Sequence, residues 1–317
     1  MVKSGELSPL FKEDVNVKAK KSTPYIFLLP LLIAFGLFLF YPLAKVVMDS
    51  FYKFSFLNPS HKIWVGGFNY KWLFTFKLYS PVYSYFVGAL LKTLIWVGGS
   101  VGIKVFLGLG GALLLNSEFL NGKRFYRTLL IIPWSIPWAM SAMIWYWTLN
   151  GQFGIVNSLL LHLHLINEPV SFLAYPTSAF ISTFVVDAWI GLPFMVIMLL
   201  SGLQTIPHHL YEAATIDGAG DFVKFTKITL PMIKPVLLTV SLLSVVWTFN
   251  SFAPIWILTR GGPVTSTTTL PIAIYNTSFR YLMFGGVGKA SAMTIFQVLL
   301  VTSLSLFYIR TLKGGES

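Results

Sequence analysis

Six apolar runs, each about twenty residues or longer, dominate the chain. They run from Tyr25 to about Val47, Phe86 to Leu115, Thr128 to Leu149, Ser178 to Leu203, Pro235 to Leu258, and about Ala290 to Ile309. About 20 consecutive apolar residues cross the hydrocarbon core of a bilayer as a helix. The 317 residues are 55% hydrophobic and only 11% charged, with a mean hydropathy of +0.72, against roughly 25% charged for a soluble domain. The fold class expected is therefore an all-α integral membrane protein with six transmembrane helices.

The polar segments set the orientation. Residues 1–24 are lysine-rich and read as a cytoplasmic N-terminal tail; a charged stretch of this length ahead of the first apolar run does not resemble a cleavable signal peptide. Lys and Arg at 3, 12, 18, 20, 21, 123, 124, 127, 224, 227, 234, 310 and 313 fall on one side of the six spans. Only those at 53, 62, 71, 77, 260 and 280 fall on the other. Thirteen against six favours both termini in the cytoplasm, since basic loops stay inside. The formal net charge of +12 is read as this topology signal, not as a nucleic-acid surface. With no cysteine in the chain, disulfides and cysteine-based metal or redox sites are excluded. The loops 48–85, 150–177 (with a short amphipathic helix near Val156 to Leu165) and 259–289 are assigned to the opposite face.

Between the fourth and fifth spans lies a polar interruption, 207–231. Pro207 suits a helix start, and Tyr211 to Ile216 are good helix formers. Asp217-Gly218 is a break where glycine admits φ > 0. Asp221 is placed to cap a second short helix carrying Phe222, Phe225 and Ile228, which Leu230-Pro231 should end. The expectation is a compact helix-turn-helix projecting from the membrane on the basic side, shaped to enter another protein's cleft.

The residues Glu212, Ala213, Ala214, Gly218, Ile228, Leu230 and Pro231 stand at the spacing of the coupling loop of binding-protein-dependent ABC import permeases, which this segment resembles. A second stretch, Asn250, Phe252, Ile255, Leu258, Thr259, Gly261, Gly262 and Pro263, followed by Thr267 to Leu270, Tyr275 and Phe279, is similar to the fifth-span end of carbohydrate permeases of the maltose or glycerol-3-phosphate type. The likeness runs from about residue 25 to the C-terminus. It implies a second homologous permease subunit, two ATP-binding subunits carrying ATP and magnesium, and an extracytoplasmic solute-binding protein. It also implies residence in the cell membrane of a bacterium or archaeon, and ATP-driven alternating access for a sugar, most simply a di- or oligosaccharide. Glu212, Ala213, Ala214, Asp217, Gly218, Ile228, Leu230 and Pro231 become the ATPase-coupling residues; the plain alternative for Glu212 is a solvated helix charge.

Substrate candidates follow from the same likeness and from polarity. Asn250 and Ser251 sit on the family motif, and polar groups inside a span face a cavity or a partner. Trp247 and Trp256 offer rings for stacking, with packing as the alternative reading. Thr294 and Gln297 lie one turn apart on the sixth span. Lys92, Lys104 and Asp187 are charges inside spans, where an isolated charge costs about 2.5–3.5 kcal/mol; a Lys104–Asp187 ion pair is one solution, and snorkelling the other. Gly285 to Ala290 mimics a phosphate loop, but Met283 and Ala290 break that pattern, so neither a nucleotide site nor a cofactor is expected in this chain. His61, His162, His164, His208 and His209 show no metal spacing. A secondary transporter or channel needing no ATPase would show inverted repeats and several buried ionisable groups. An intramembrane enzyme would need a catalytic constellation. The sequence shows neither set. It leaves maltose, trehalose, other oligosaccharides and glycerol phosphates open, with anionic substrates disfavoured by the lack of buried cations in the fifth and sixth spans.

Overall fold

The computed structural model describes residues 23–78, 83–280 and 286–313. Most of the N-terminal tail and Met283 lie outside the described residues. The chain divides into two units, 1–46 and 47–317. The first holds α1 (Thr23–Phe35), a π turn (Gly36–Phe40) and the start of α2 (Tyr41–Asp49). Together these make one helical run long and apolar enough to cross a membrane.

In the second unit, the segment read from sequence as a loop is structured. Strands β1 (Tyr52–Ser55) and β2 (Asn58–Trp64) pair antiparallel, with Tyr52 opposite Trp64, and α3 (Phe68–Thr75) follows. The fully buried Asn69 pins this hairpin by donating to the Ser50 and Tyr52 carbonyls at 2.7 and 2.9 Å. The long helix α4 (Tyr85–Asn116) is capped by Ser84, whose Oγ accepts from Val87 N at 3.1 Å.

Helices α5 (Lys123–Ser135) and α6 (Trp138–Thr148) cover the third apolar run, Thr128 to Leu149, and meet at a 96° bend. Pro133 is carried inside α5. The break comes at Pro137, because the residue before a proline is driven out of the helical region; Ile136 is extended at φ −83°, ψ 132°. Next come α7 (Ile155–His162), α8 (Pro176–Gln204), α9 (His208–Ile216) and α10 (Asp221–Lys224). A π turn (Phe225–Thr229) joins α10 to α11 (Leu230–Phe249), and then follow α12 (Ala253–Thr259), α13 (Leu270–Tyr275), a π turn (Asn276–Arg280) and α14 (Gly286–Lys313). Five helical runs suit a membrane by length and composition, and six if the bent α5–α6 pair is one span.

The contact between α4 and α8 is central to the second unit. Gly99, Gly108 and Gly111 face α8 closely, whereas Gly98, Gly102 and Gly110 border open space. Small residues let helix backbones approach in lipid, and only half of the glycine-rich stretch is used this way. Two large apolar clusters result. One gathers Trp72, Phe86, Trp96, Phe249, Leu270 and Met293. The other, nearer the interruption at 207–231, gathers Ala112, Met195, Leu199, Leu203, Ile233 and Val240.

A Cβ on Gly108 would lie 2.3 Å from Met195 Cγ, while one on Gly110 meets nothing within 4 Å. Gly108→Leu should therefore destabilise the detergent-solubilised protein by about 1–3 kcal/mol through overpacking, and Gly110→Leu by less than about 0.5 kcal/mol. Thermal unfolding of the two variants checks this; equal shifts would contradict the α4–α8 packing.

Candidate functional site

The 207–231 interruption folds as a helical hairpin that joins α8 to α11. Pro207 is the extended residue ahead of α9. At the far end, Gly218 adopts φ +77°. Its N–H reaches Thr215 O at 3.0 Å, and Ala219 N reaches Ala214 O at 2.8 Å. These are the two bonds of a Schellman stop, which needs a left-handed residue after the helix. A Cβ on Gly218 would meet nothing within 4 Å, so the requirement for glycine is conformational and not one of space.

Two expectations are corrected here. Asp221 is the first helical residue and not the cap, which is Gly220; its carboxylate still sits at the positive end of α10. Leu230-Pro231 does not end the second helix. The π turn, closed by Leu230 N–H to Phe225 O, takes up the mismatch left by the N–H that Pro231 lacks, and the helix continues into α11.

The hairpin is tied to the bundle and bare at its tip. Tyr211 Oη lies 2.8 Å from Thr229 Oγ1, and Leu210, Tyr211 and Ile228 pack on the apolar cluster that holds Leu203 and Ile233. Glu212 is exposed and lies 3.0 Å from His208 Nδ1, whose other ring nitrogen is 3.9 Å from Glu118. His208 is thus the first residue of α9, one turn before Glu212. Ala213 and Asp217 are exposed and Ala214 half-buried. Ile216 and Phe222 are 87% and 78% exposed, with Val223 beside them.

Between the two apolar clusters lies a polar layer. Lys104 Nζ is 2.5 Å from Asp187 Oδ2 and donates to Thr248 Oγ1 at 2.9 Å. The Ser100 hydroxyl donates to the same carboxylate. All four side chains are buried, and they join α4, α8 and α11. This layer forms one wall of a cavity whose other walls are Trp134, Trp138, Phe194 and Trp247, with Ser244 and Gly191. Trp134 and Trp138 stand on either side of the α5–α6 bend, and Trp247 and Pro254 on either side of the α11–α12 break. The cavity therefore lies where two helices are interrupted, and it combines aromatic faces with hydroxyl, ammonium and carboxylate groups.

The six substrate candidates do not converge. Trp247 alone lines this cavity, with its ring 4.8 Å from Phe194. Asn250 sits at the helix break and accepts from Gln297 Nε2 at 3.1 Å while donating to Val246 O. Ser251 is buried with its Oγ unpaired among the described residues. Thr294 bonds back to Ala290 O. Trp256 belongs to another aromatic group, stacked on Phe252 and edge-on to Tyr275. Sequence reasoning missed Ser100 and Thr248, whose hydroxyls look unremarkable in an apolar run. It noted Lys92 without its partner, Thr265, whose carbonyl lies 2.6 Å away. No group of three metal-ligating side chains occurs among the described residues.

Residues 104–310 match the family model described as the binding-protein-dependent transport system inner membrane component. A trehalose/maltose transport system permease protein of Thermococcus litoralis is 36% identical over 286 residues, covering 90% of this chain and 92% of that protein. A sulfoquinovosyl glycerol transport system permease protein of Agrobacterium fabrum is 34% identical, covering 90% of each. A solved bacterial ABC transporter, involved in import of the acidic polysaccharide alginate, superposes with a TM-score of 0.74. It does so at 23% identity over 92% of this chain and 94% of its own, which is a likeness of fold. The chain accordingly belongs to the family of binding-protein-dependent transport system inner membrane components, the permease subunits of ABC importers.

Proposed function

We propose that this permease conducts a sugar inward through the aromatic cavity, and that the 207–231 hairpin is where cytoplasmic ATPases drive it. The observation that carries the reading is the hairpin itself. It connects α8 and α11, which both line the cavity, and it leaves Ile216 and Phe222 bare at a polar turn. Exposed apolar knobs on a rigid projection suit insertion into a partner's groove. In this reading both termini and the hairpin are cytoplasmic, two ATP-binding subunits with ATP and magnesium grip this hairpin and that of a second permease, and rotation of α8 and α11 opens the cavity alternately to either side. Glu212 offers a charge to a cationic partner group, and Ala213 and Asp217 present a close-approach surface. An extracytoplasmic solute-binding protein delivers the solute.

The sugar assignment draws on the substrates named for the relatives and on the cavity's chemistry. The cavity is closed down to about 20 Å³, room for about one water; on widening, Trp134, Trp138 and Trp247 would present faces to sugar rings, and the Ser244 hydroxyl and the polar layer would face sugar hydroxyls. Asn250 and Gln297 act next to the cavity by holding α14 to the α11–α12 break; Ser251, Trp256 and Thr294 are positioned for supporting roles.

Three outcomes are expected. Glu212→Lys and Gly218→Pro should each reduce uptake about tenfold or more in membrane vesicles while membrane levels stay unchanged, Pro being barred from φ +77°. Full uptake in both variants would remove the hairpin from coupling. Trp247→Ala should raise the half-saturating sugar concentration roughly tenfold, equivalent to ~1.4 kcal/mol; an unchanged value would exclude the cavity as the sugar site. Asp187→Ala strands the Lys104 ammonium and should destabilise the protein by about 3–5 kcal/mol. The double variant Lys104→Met with Asp187→Leu should unfold at a higher temperature than Asp187→Ala. A double variant no more stable than the single would argue against their pairing as the reason both charges are tolerated.

A further inference from the structure

At the hairpin end of the bundle, α4, α5 and α8 leave an apolar groove that no described residue fills. Leu114 of α4, Leu129, Leu130 and Pro133 of α5, and Leu192 and Val196 of α8 line a space of about 580 Å³. Ligand pockets typically measure about 300–1,000 Å³, so this is more than a packing seam. Leu114 and Leu129 are exposed, which leaves the groove open along its side. Its position is fixed by its neighbours. Leu120 and Leu130 share a cluster with Leu210 and Tyr211 of the hairpin, and Glu118 of the α4–α5 turn lies 3.9 Å from His208.

One end of the groove is cationic. Lys123, Arg127, Leu130 and Pro133 are the half-buried residues of α5, and the others on that helix are exposed. Steps of three and four residues put them on one face. Over about 15 Å of helix axis, that face passes from an ammonium through a guanidinium to apolar side chains. Basic residues that only fix topology can remain in water, and Arg124 does; Lys123 and Arg127 are instead drawn onto the packed face. Lys123, Arg124 and Arg127 have no acidic partner among the described residues. Arg127 Nε is enclosed, yet has no hydrogen-bond partner there. A guanidinium offers donors and no acceptor, so what this end of the groove lacks is an acceptor, and an enclosed charged donor left unpaired is costly. The acidic group closest in sequence, Glu118, faces His208.

We propose that this groove binds an anionic phospholipid, with the phosphate held by Lys123 and Arg127 and one acyl chain lying along Leu130, Leu114 and Val196. A phosphate supplies the acceptor oxygens that a guanidinium binds best, and basic pockets between spanning helices are where anionic headgroups settle. The apolar remainder of the same molecule covers the leucines. A chain seated there wedges α5 against α8, next to the place where Trp134 of α5 stacks on Phe194 of α8 at 6.1 Å in the aromatic cavity.

The test uses the assembled importer in a neutral detergent, titrated with phosphatidylglycerol or with phosphatidylcholine of the same acyl chains, and bound lipid is counted by native mass spectrometry. Lys123→Gln and Arg127→Gln should each weaken phosphatidylglycerol binding about fivefold and leave phosphatidylcholine binding unchanged, while Arg127→Lys keeps most of the wild-type affinity. Leu114→Trp, at a position 67% exposed on the groove wall, should lower binding of both lipids without altering a charge. Wild-type phosphatidylglycerol binding in both Gln variants would overturn the proposal. So would displacement of the lipid by millimolar inorganic phosphate together with no effect of Leu114→Trp, which would leave an anion site without a chain groove. A photoreactive benzoylphenylalanine in place of Leu114 reads the occupant in native membranes. A phospholipid adduct is expected; a crosslink to a second permease subunit, or to residues 25–47 of the same chain, would put a protein helix in the groove and refute the lipid. None of these readouts involves the transported solute, so the sugar assignment can fail without touching them.

Discussion

The buried contact between Lys104 and Asp187 is the constraint around which the second unit is arranged. Two charges in the middle of apolar helices are tolerated only as a hydrogen-bonded pair, and Ser100 and Thr248 supply the remaining bonds. Satisfying all four groups fixes the rotation of α4, α8 and α11 about their axes, since a turn of any of these helices would strand a charge or a hydroxyl. The apolar clusters above and below add contact area but little directional preference. A pair of this kind is weak as a source of stability and strong as a register mark, which is the property a bundle needs if it is to move as rigid pieces.

Those pieces are visible in how the hairpin is attached. Leu210, Tyr211 and Ile228 seat α9 and the π turn on the cluster that includes Leu199, Leu203 and Ile233. Met195 and Val196 of the same cluster press against Gly108 and Gly111 of α4, one to two turns from Lys104. Packed side chains thus run without interruption from the base of the hairpin to the neighbourhood of the polar layer. The Schellman stop at Gly218 ends α9 cleanly at the tip, with its last carbonyls paired.

The hairpin was legible in the sequence because its markers are local. Pro207, Asp217-Gly218 and the charged residues that interrupt two apolar runs all act within a few positions. Three features escaped for physical reasons. The strands at Tyr52–Ser55 and Asn58–Trp64 have no strict polar alternation, and their stability comes from Asn69, which lies farther along the chain. The threonines at 267–269 look like a polar loop, yet all three are buried, and Thr267 and Thr268 bond back to Gly262 and Gly261. Pro231 suggested a helix end because a proline normally stops a regular helix, and a π turn is a deviation that no residue pattern announces. Of the substrate candidates, only Trp247 reached the cavity. Family position and polarity identified Asn250 and Gln297, but Gln297 donates to Asn250 across the helix break and Asn250 donates to Val246 O, so neither lines the cavity.

The placement of the helix breaks accounts for that cavity. Continuous helices would satisfy their own backbone and pack side by side, leaving only a thin seam between them. Instead, Pro137 parts α5 from α6, and the Asn250–Phe252 segment parts α11 from α12. Irregular backbone inside a membrane is tolerated only where protein or a polar cavity meets it. The two interruptions face the same space, with Trp134 and Trp138 flanking one and Trp247 and Pro254 flanking the other. In the proposed route each break loosens its helix beside the rings that line the cavity, while the Lys104–Asp187 pair holds the intact helices α4 and α8 in register. Of the two broken helices, the one carrying Trp247 is continuous with the hairpin, so the proposed drive from the hairpin acts directly on a cavity wall.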